Sequence, residues 1–273
     1  MGRLYIETAR ENGRTVIRDS FFTAPFKITA PFYSGDTAEI MIMQASAGIL
    51  EGDSHEMEFV ITSGSQVIIT GQSYTKLFRM EHGRATQRVR ITVEKDAFLC
   101  YLPRPVIPFK GSAFLNTNEI HLEPGAKFAM QDILSCGRKA MGERFDFRKY
   151  HARTVVYEDG KPIFVDNTRL VPSEFDISGM GWFEHDTHQG MAYFYGLDKL
   201  EAHETDSLIT AVTEAKKGQL MRFLGSESDE IERSIRAYIE GGNYHGISCD
   251  HGYETVRQSG AKDSPTGCRK YGI

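Results

Sequence analysis

Five consecutive residues, Glu184-His185-Asp186-Thr187-His188, bring two imidazoles and two carboxylates together, a donor set suited to a borderline divalent metal such as nickel or zinc. The spacing is H-x-x-H. It lacks the glutamate and the i, i+4 helical spacing of H-E-x-x-H, so the two imidazoles need not share a face, and the same residues equally make a solvated loop. His185 and His188 are therefore the metal-ligand candidates, and a metal-dependent hydrolase centred on them is one function they would serve. A second group, His245, Cys249, Asp250 and His251, lies near the C-terminus, where a loose tail could take up metal adventitiously. No G-x-S-x-G elbow, P-loop, G-x-G-x-x-G or catalytic-cysteine signature occurs in the 273 residues, so nucleophilic catalysis has no motif to rest on.

Other polar residues stand beside glycines: Glu51-Gly52-Asp53, Ser73-Tyr74-Thr75-Lys76, and Gly137-Arg138 with Gly142-Glu143. Carboxylates and a guanidinium set into a β core are costly unless paired, so one role for them is an ion-pair network that holds the turns. The other is a hydrated polar path through the core. The two roles are compatible.

The elements that must position these residues read mainly as strands. In residues 87–94, Val89, Ile91 and Val93 alternate with Arg88, Arg90, Thr92 and Glu94, the period-2 pattern of a half-buried strand. Turns follow at short intervals, and three segments superimpose: Ile61-Thr62-Ser63-Gly64-Ser65-Gln66-Val67, Val93-Glu94-Lys95-Asp96-Ala97-Phe98-Leu99 and Leu122-Glu123-Pro124-Gly125-Ala126-Lys127-Phe128. Tyr157-Glu158-Asp159-Gly160-Lys161-Pro162-Ile163 offers a fourth copy, and its Asp-Gly also reads as a hairpin turn. A repeat of roughly 30 residues is what stacked strand-turn-strand units give, although a meandering β protein shows such turns too. The fold class predicted is mainly β, a β-helical, solenoid-like stack of strands from residue 3 to about 200, with two C-terminal α-helices. Asp206 would cap the first, through Leu208, Ile209, Val212 and Ala215 to Gly218, and Ser226 the second, through Ile231, Ile235 and Ile239 to Gly241-Gly242. Residues 1–242 then form a single domain, and 243–273 a divergent, loose tail.

Composition narrows the function. With 40% hydrophobic and 25% charged residues the chain can bury a sizeable core, and its net charge of −5 supplies no basic field for nucleic acid. No segment approaches 18 apolar residues and the charged start is unlike a signal peptide, so a cytoplasmic chain without membrane contact is expected. The four cysteines, Cys100, Cys136, Cys249 and Cys268, form no C-x-x-C and read as buried or free thiols.

In order along the chain, four motifs resemble the UreD (UreH) family of urease accessory proteins. Ser46-Ala47-Gly48-Ile49-Leu50-Glu51-Gly52-Asp53 is similar to its Gly-Gly-φ-x-x-Gly-Asp element, with φ apolar, and Gly71-Gln72-Ser73-Tyr74-Thr75-Lys76-Leu77 to its T-x-Q-S-x-T-K element. Tyr101-Leu102-Pro103-Arg104-Pro105-Val106-Ile107-Pro108-Phe109 resembles Y-L-P-x-P-x-I-P-F, and Asp132-Ile133-Leu134 with Gly137-Arg138 and Gly142-Glu143 resembles D-x-L-x-x-G-R-x-x-x-G-E. The resemblance runs from about residue 15 to about 240, and Arg222-Phe223-Leu224-Gly225 fits it as well. Two departures are Ala47 in place of the first glycine and the sequence after Glu240, which no longer resembles the closing helix.

This resemblance implies a non-catalytic scaffold and nickel conduit that binds apo-urease and, with UreF and the GTPase UreG, delivers nickel to the urease active site. No tightly bound cofactor is implied, only transient nickel. A polar interior carrying the ion would use Glu51, Asp53, Ser73, Thr75, Lys76, Asp132, Arg138 and Glu143, with the Asp53 and Glu143 carboxylates projecting inward. Weak, spaced oxygen ligands suit an ion that must be released. The competing functions are the hydrolase at His185 and His188 and a β-solenoid adaptor with no role for metal.

Overall fold

A computed structural model of the chain describes residues 1–198, 200–201 and 207–241. A hairpin opens it, β1 (Gly2–Glu11) and β2 (Arg14–Phe22), followed by the short strands β3 (Phe26–Ile28) and β4 (Phe32–Ser34) and by β5 (Thr37–Gln44). Three similar passages come next: β6 (Ser54–Ile61), β7 (Gln66–Gly71) and β8 (Thr75–Leu77); β9 (Ala85–Val93), β10 (Phe98–Leu102) and β11 (Val106–Pro108); β12 (Ala113–Leu122) and β13 (Lys127–Ser135). The chain closes with β14 (Lys149–Glu158), β15 (Lys161–Leu170), β16 (His188–Tyr195), β17 (Leu208–Glu214), β18 (Gln219–Gly225) and the helix α1 (Ser228–Gly241).

Two sheets face each other, one ordered β15-β14-β12-β9-β6-β1-β2 and the other β17-β18-β16-β13-β10-β7-β5-β3. The pairs β1–β6, β6–β9, β9–β12 and β12–β14 are parallel, as are β5–β7, β7–β10 and β10–β13. The chain therefore winds as a β-solenoid of about four turns. Its corners are the three superimposed segments, stacked as neighbours. The Glu94 amide donates to the Ile61 carbonyl at 2.9 Å and the Glu123 amide to the Val93 carbonyl at 3.0 Å. Gly64, Asp96 and Gly125 all take left-handed φ there, which lets each strand swing from one sheet to the other.

Inside the winding, Phe59, Ile61, Val89, Ile91, Val93, Ile120 and Phe128 form the main core, each removed from water almost completely and contributing roughly 1.5–3 kcal/mol. A second cluster, with Ile49, Leu77, Phe114, Leu134, Tyr150 and Phe183, fills the opposite corner. α1 covers the outer face of the second sheet: Ile231, Ile235 and Ile239, four residues apart, pack on Cys100, Ile133, Ala192 and Phe223. Gly190 makes room for it, since a Cβ there would come within 2.8 Å of Ile231. Gly48 is equally confined, beside the Phe78 ring and the Lys76 carbonyl, whereas Ala47 keeps a negative φ and so substitutes for glycine without strain.

Three expectations need correction. Residues 208–214, expected in a first helix, are β17, and Ala215–Gly218 turn it into β18. Ile209, Thr210, Val212 and Thr213 are β-branched and stiff at χ1, and pairing with β18 buries Leu208 and Thr210. The fourth repeat copy, around Asp159-Gly160, is a two-residue hairpin within one sheet, joining β14 to β15, and not a corner. Ser226 does not cap the remaining helix; its Oγ donates to Asp186 at 3.0 Å and α1 begins at Ser228. Asp206, Gly242 and residues 243–273, with His245, Cys249, Asp250, His251 and Cys268, lie outside the described residues. Among the described residues no helix is long and apolar enough to cross a membrane.

Candidate functional site

The polar residues beside the glycine turns fall into two sets. Glu51, Asp53, Arg138 and Glu143 sit at the corner opposite Gly64. The Glu51 carboxylate accepts the amides of Glu81 at 2.7 Å and His82 at 3.2 Å, and also that of Gly83, which together hold its pKa below the usual range. Asp53 turns back on its own loop and accepts the Leu50 amide at 2.8 Å. Arg138 forks onto Glu143, with Nε to Oε2 at 2.8 Å and a second bond to Oε1, and keeps that carboxyl ionised well below its ordinary range. Glu143 also accepts the Lys110 amide at 3.2 Å.

The far corner repeats the device. Glu94 accepts the Ser63 amide at 2.8 Å and Glu123 the Lys95 amide at 2.9 Å, so a glutamate on one coil ties the turn of the coil before it. Lys76 is exposed on β8.

The second set faces the interior. Between the two apolar clusters, strand alternation points polar side chains inward at two adjacent levels of the winding, His55, Gln87, Asn116 and Thr168 on one and Asn118, Thr154 and Asp166 on the next. From the first sheet come His55, Gln87, Asn116, Asn118, Thr154, Asp166 and Thr168, on β6, β9, β12, β14 and β15 in turn. Asp132 of β13 and Arg222 of β18 meet them from the second sheet. Hydrogen bonds join neighbours in separate groups: Gln87 Nε2 to Asn116 Oδ1 at 3.4 Å, Asn118 Nδ2 to Thr154 Oγ1 at 2.9 Å, Tyr150 Oη to Asp132 Oδ1 at 3.3 Å, and both Thr168 Oγ1 at 3.3 Å and Arg222 to Asp166. Burial depresses the His55 pKa, and its Nδ1, like Asn118 Oδ1, is buried without a partner.

A cavity opens at each end of this file. The first, of about 50 Å³, lies where the second sheet breaks after Gly71 and Leu102, and is lined by Gln44, Thr70, Ser73, Thr75, Gln87, Tyr101 and Arg104. The second, of about 20 Å³, holds Asp132, Tyr150, Asp166, Thr168, Gln189 and Arg222. Of the residues expected in a polar interior, Ser73, Thr75 and Asp132 line these cavities. The structure adds His55, Gln87, Asn116, Asn118, Thr154, Asp166, Thr168 and Arg222. The signal for two of them was present in Phe114-Leu115-Asn116-Thr117-Asn118-Glu119-Ile120, where asparagines share the parity of buried Phe114 and Ile120.

Desolvation, reinforced by the Asp166 carboxylate, raises the Asp132 pKa to about 6. A folded pKa above the unfolded one favours the folded chain at low pH, and that advantage is lost as pH rises through about 6. Relative to Asp132→Asn, the unaltered chain is expected to gain about 1.4 kcal/mol between pH 7 and pH 5. Urea unfolding of both proteins at the two pH values measures it, and parallel curves would refute the assignment.

His185 is exposed, and His188 opens β16 with Nδ1 3.0 Å from Thr187 Oγ1, its pKa lowered by burial. Among the described residues no three His, Cys, Asp or Glu side chains are grouped to hold a metal ion. Cys100 and Cys136 are buried thiols.

Together, laced corners and a polar file set between two apolar clusters define a protein of the β-solenoid class. The profile of the UreD urease accessory protein matches residues 1–241, and the chain belongs to that family. It is 39% identical over 246 residues to urease accessory protein UreD of Acetivibrio thermocellus, covering 86% of this chain and 94% of the relative. With urease accessory protein UreH of Helicobacter hepaticus it shares 34% identity over 225 residues, 81% of this chain and 89% of the relative. With UreH of Helicobacter pylori strain P12 the identity is 39% over 178 residues, 65% and 67% of the two chains. Membership supports a role in urease maturation.

Proposed function

We propose that this chain is a non-catalytic scaffold and nickel conduit in the cytoplasm, which binds apo-urease together with UreF and UreG and passes nickel through its interior to the urease active site. The observation that carries this reading is the file of inward amides, hydroxyls and carboxylates running coil by coil between two cavities. Such hard oxygen ligands, few at any one point, bind a divalent ion weakly enough to release it. Glu51, Asp53, Arg138 and Glu143 stand at the corner loops beside this path, where Glu51 and the Arg138–Glu143 pair tie neighbouring turns, and Lys76 lies exposed on β8. Exposed Met141, Met180 and Trp182, on loops next to that corner, offer apolar area for a partner.

The test is to co-produce the chain with the urease subunits and the other accessory proteins and to measure urease activity beside the yield of complex. Asp132→Leu is expected to lower activation at least about tenfold, the factor that about 1.4 kcal/mol gives, at unchanged yield. Unchanged activation would overturn the conduit and favour the adaptor. A small amide or ester hydrolysed by the pure chain, with activity abolished by His185→Ala, would favour the hydrolase.

A further inference from the structure

The second sheet breaks where residues 72–74 part β7 from β8 and residues 103–105 part β10 from β11. Side chains from three successive coils meet the start of α1 at this break. Tyr74 Oη donates to Asp229 Oδ1 at 2.6 Å and stands 3.1 Å from Ser228 Oγ. Arg104 lies across Gly71, where a Cβ would come within 3.1 Å of its Cγ, and over the Tyr74 ring at 4.9 Å; its guanidinium donates to Glu232 at 2.9 Å. Gln131 of β13 gives Nε2 to the Pro103 carbonyl at 3.0 Å, and the same nitrogen lies 3.5 Å from Glu232. This polar seam is incompletely matched. Arg104 Nε and Gln131 Oε1 are buried with no hydrogen-bond partner, and burial holds the Glu232 carboxyl above its ordinary pKa despite the guanidinium beside it.

We infer that α1 is a releasable strap: it lifts from the second sheet as a unit while the solenoid stays folded, and the Tyr74 hydroxyl is the clasp that holds its first turn. Two opposing contributions set the balance. The stripe of Ile231, Ile235 and Ile239 favours docking. Under the same helix, a largely buried Arg–Glu pair repays little more than its own desolvation, and each unmatched polar atom weakens the docked state. Docking is therefore the resting state, and it can be undone locally. Release uncovers Cys100, Ile133 and Phe223, and it also frees Ser73, Thr75, Pro103 and Arg104, which line the first cavity, from the element that braces them. The position of α1 and the shape of that cavity are thus coupled. The inference holds whether or not the interior carries an ion.

Cys100, on β10 beneath α1 and fully covered, is the probe. The full chain is treated with iodoacetamide at a series of urea concentrations below its unfolding transition, and alkylation of Cys100 is followed by mass spectrometry of its peptide. That rate, divided by the rate of the same thiol in the unfolded chain, gives the opening equilibrium. Release of α1 predicts a Cys100 rate that rises with urea far less steeply than global unfolding does, because one helix exposes little surface. Tyr74→Phe is expected to raise the rate about tenfold with the shallow slope kept, as loss of a hydrogen bond to a charged acceptor gives. Arg104→Met with Glu232→Leu is expected to lower it roughly fivefold, the low end of what apolar replacement of a buried pair gains. A Cys100 slope equal to that of global unfolding would overturn the strap, since the thiol would be reached only when the whole chain unfolds. A shallow slope that Tyr74→Phe leaves unmoved would overturn it as well, since the opening would not involve the first turn of α1. Faster alkylation in the double variant would make the Arg104–Glu232 pair a fastening and overturn the balance that makes α1 releasable.

Discussion

Arg222→Met is expected to destabilise the protein by about 3 kcal/mol, the lower end for breaking a buried ion pair, since Arg222 keeps some contact with water. The guanidinium pairs with Asp166, whose side chain is only 12% exposed, in a cavity that also holds Asp132. Removing it leaves two carboxylates facing each other with no cation between them. The double variant Arg222→Met with Asp166→Leu is expected to recover most of the loss, because it takes away the stranded charge and adds apolar contact. Guanidinium chloride unfolding at pH 7 measures all three proteins. A double variant as unstable as the single one would mean that Arg222 acts through its packing on β18 and not through its charge.

Gly218→Ala is expected to cost about 3 kcal/mol, from a left-handed residue bearing a side chain together with overpacking. Gly218 has φ of +81°, and a Cβ there would overlap the carbonyl oxygen of Phe194 and stand 3.0 Å from the Tyr193 hydroxyl. The Phe194 carbonyl cannot move without shifting β16. The size of the loss discriminates between the two structures that the sequence allows here. At the end of a solvent-exposed helix the same change would cost only about 1 kcal/mol, so thermal or chemical unfolding that shows so small an effect would contradict the β17–β18 hairpin.

That ambiguity shows where the sequence is legible and where it is not. The corners at Gly64, Asp96 and Gly125 are readable because the signal is local: a turn that needs left-handed φ, flanked by apolar alternation, repeated at one spacing. Leu208, Ile209, Val212 and Ala215 recur at a helical interval by coincidence, and the pairing with Gln219–Gly225 that makes them a strand is settled by tertiary contact. α1 is legible because its three isoleucines bury one stripe over fourteen residues. The polar interior is the least legible. Asp132 was recognisable from its motif, but Asp166 and Arg222 are 56 residues apart and become partners only when β15 and β18 close on the same cavity. Likewise, Glu94 and Glu123 look like ordinary surface charges until the coils stack and their carboxylates reach the neighbouring turns.

The order in which the coils lie against one another carries a consequence for synthesis. β6 pairs with β1, β9 with β6 and β12 with β9, each with the strand of its sheet already made. A chain leaving the ribosome can therefore settle one coil at a time, with a glutamate fastening each new turn to the last. β18 is different. It emerges more than fifty residues after Asp166, and until it does, the Asp132 end of the interior remains open to water. The wall of the polar interior is thus laid down gradually from the N-terminal side, while the cavity at Asp132 is closed only once β18 has been made.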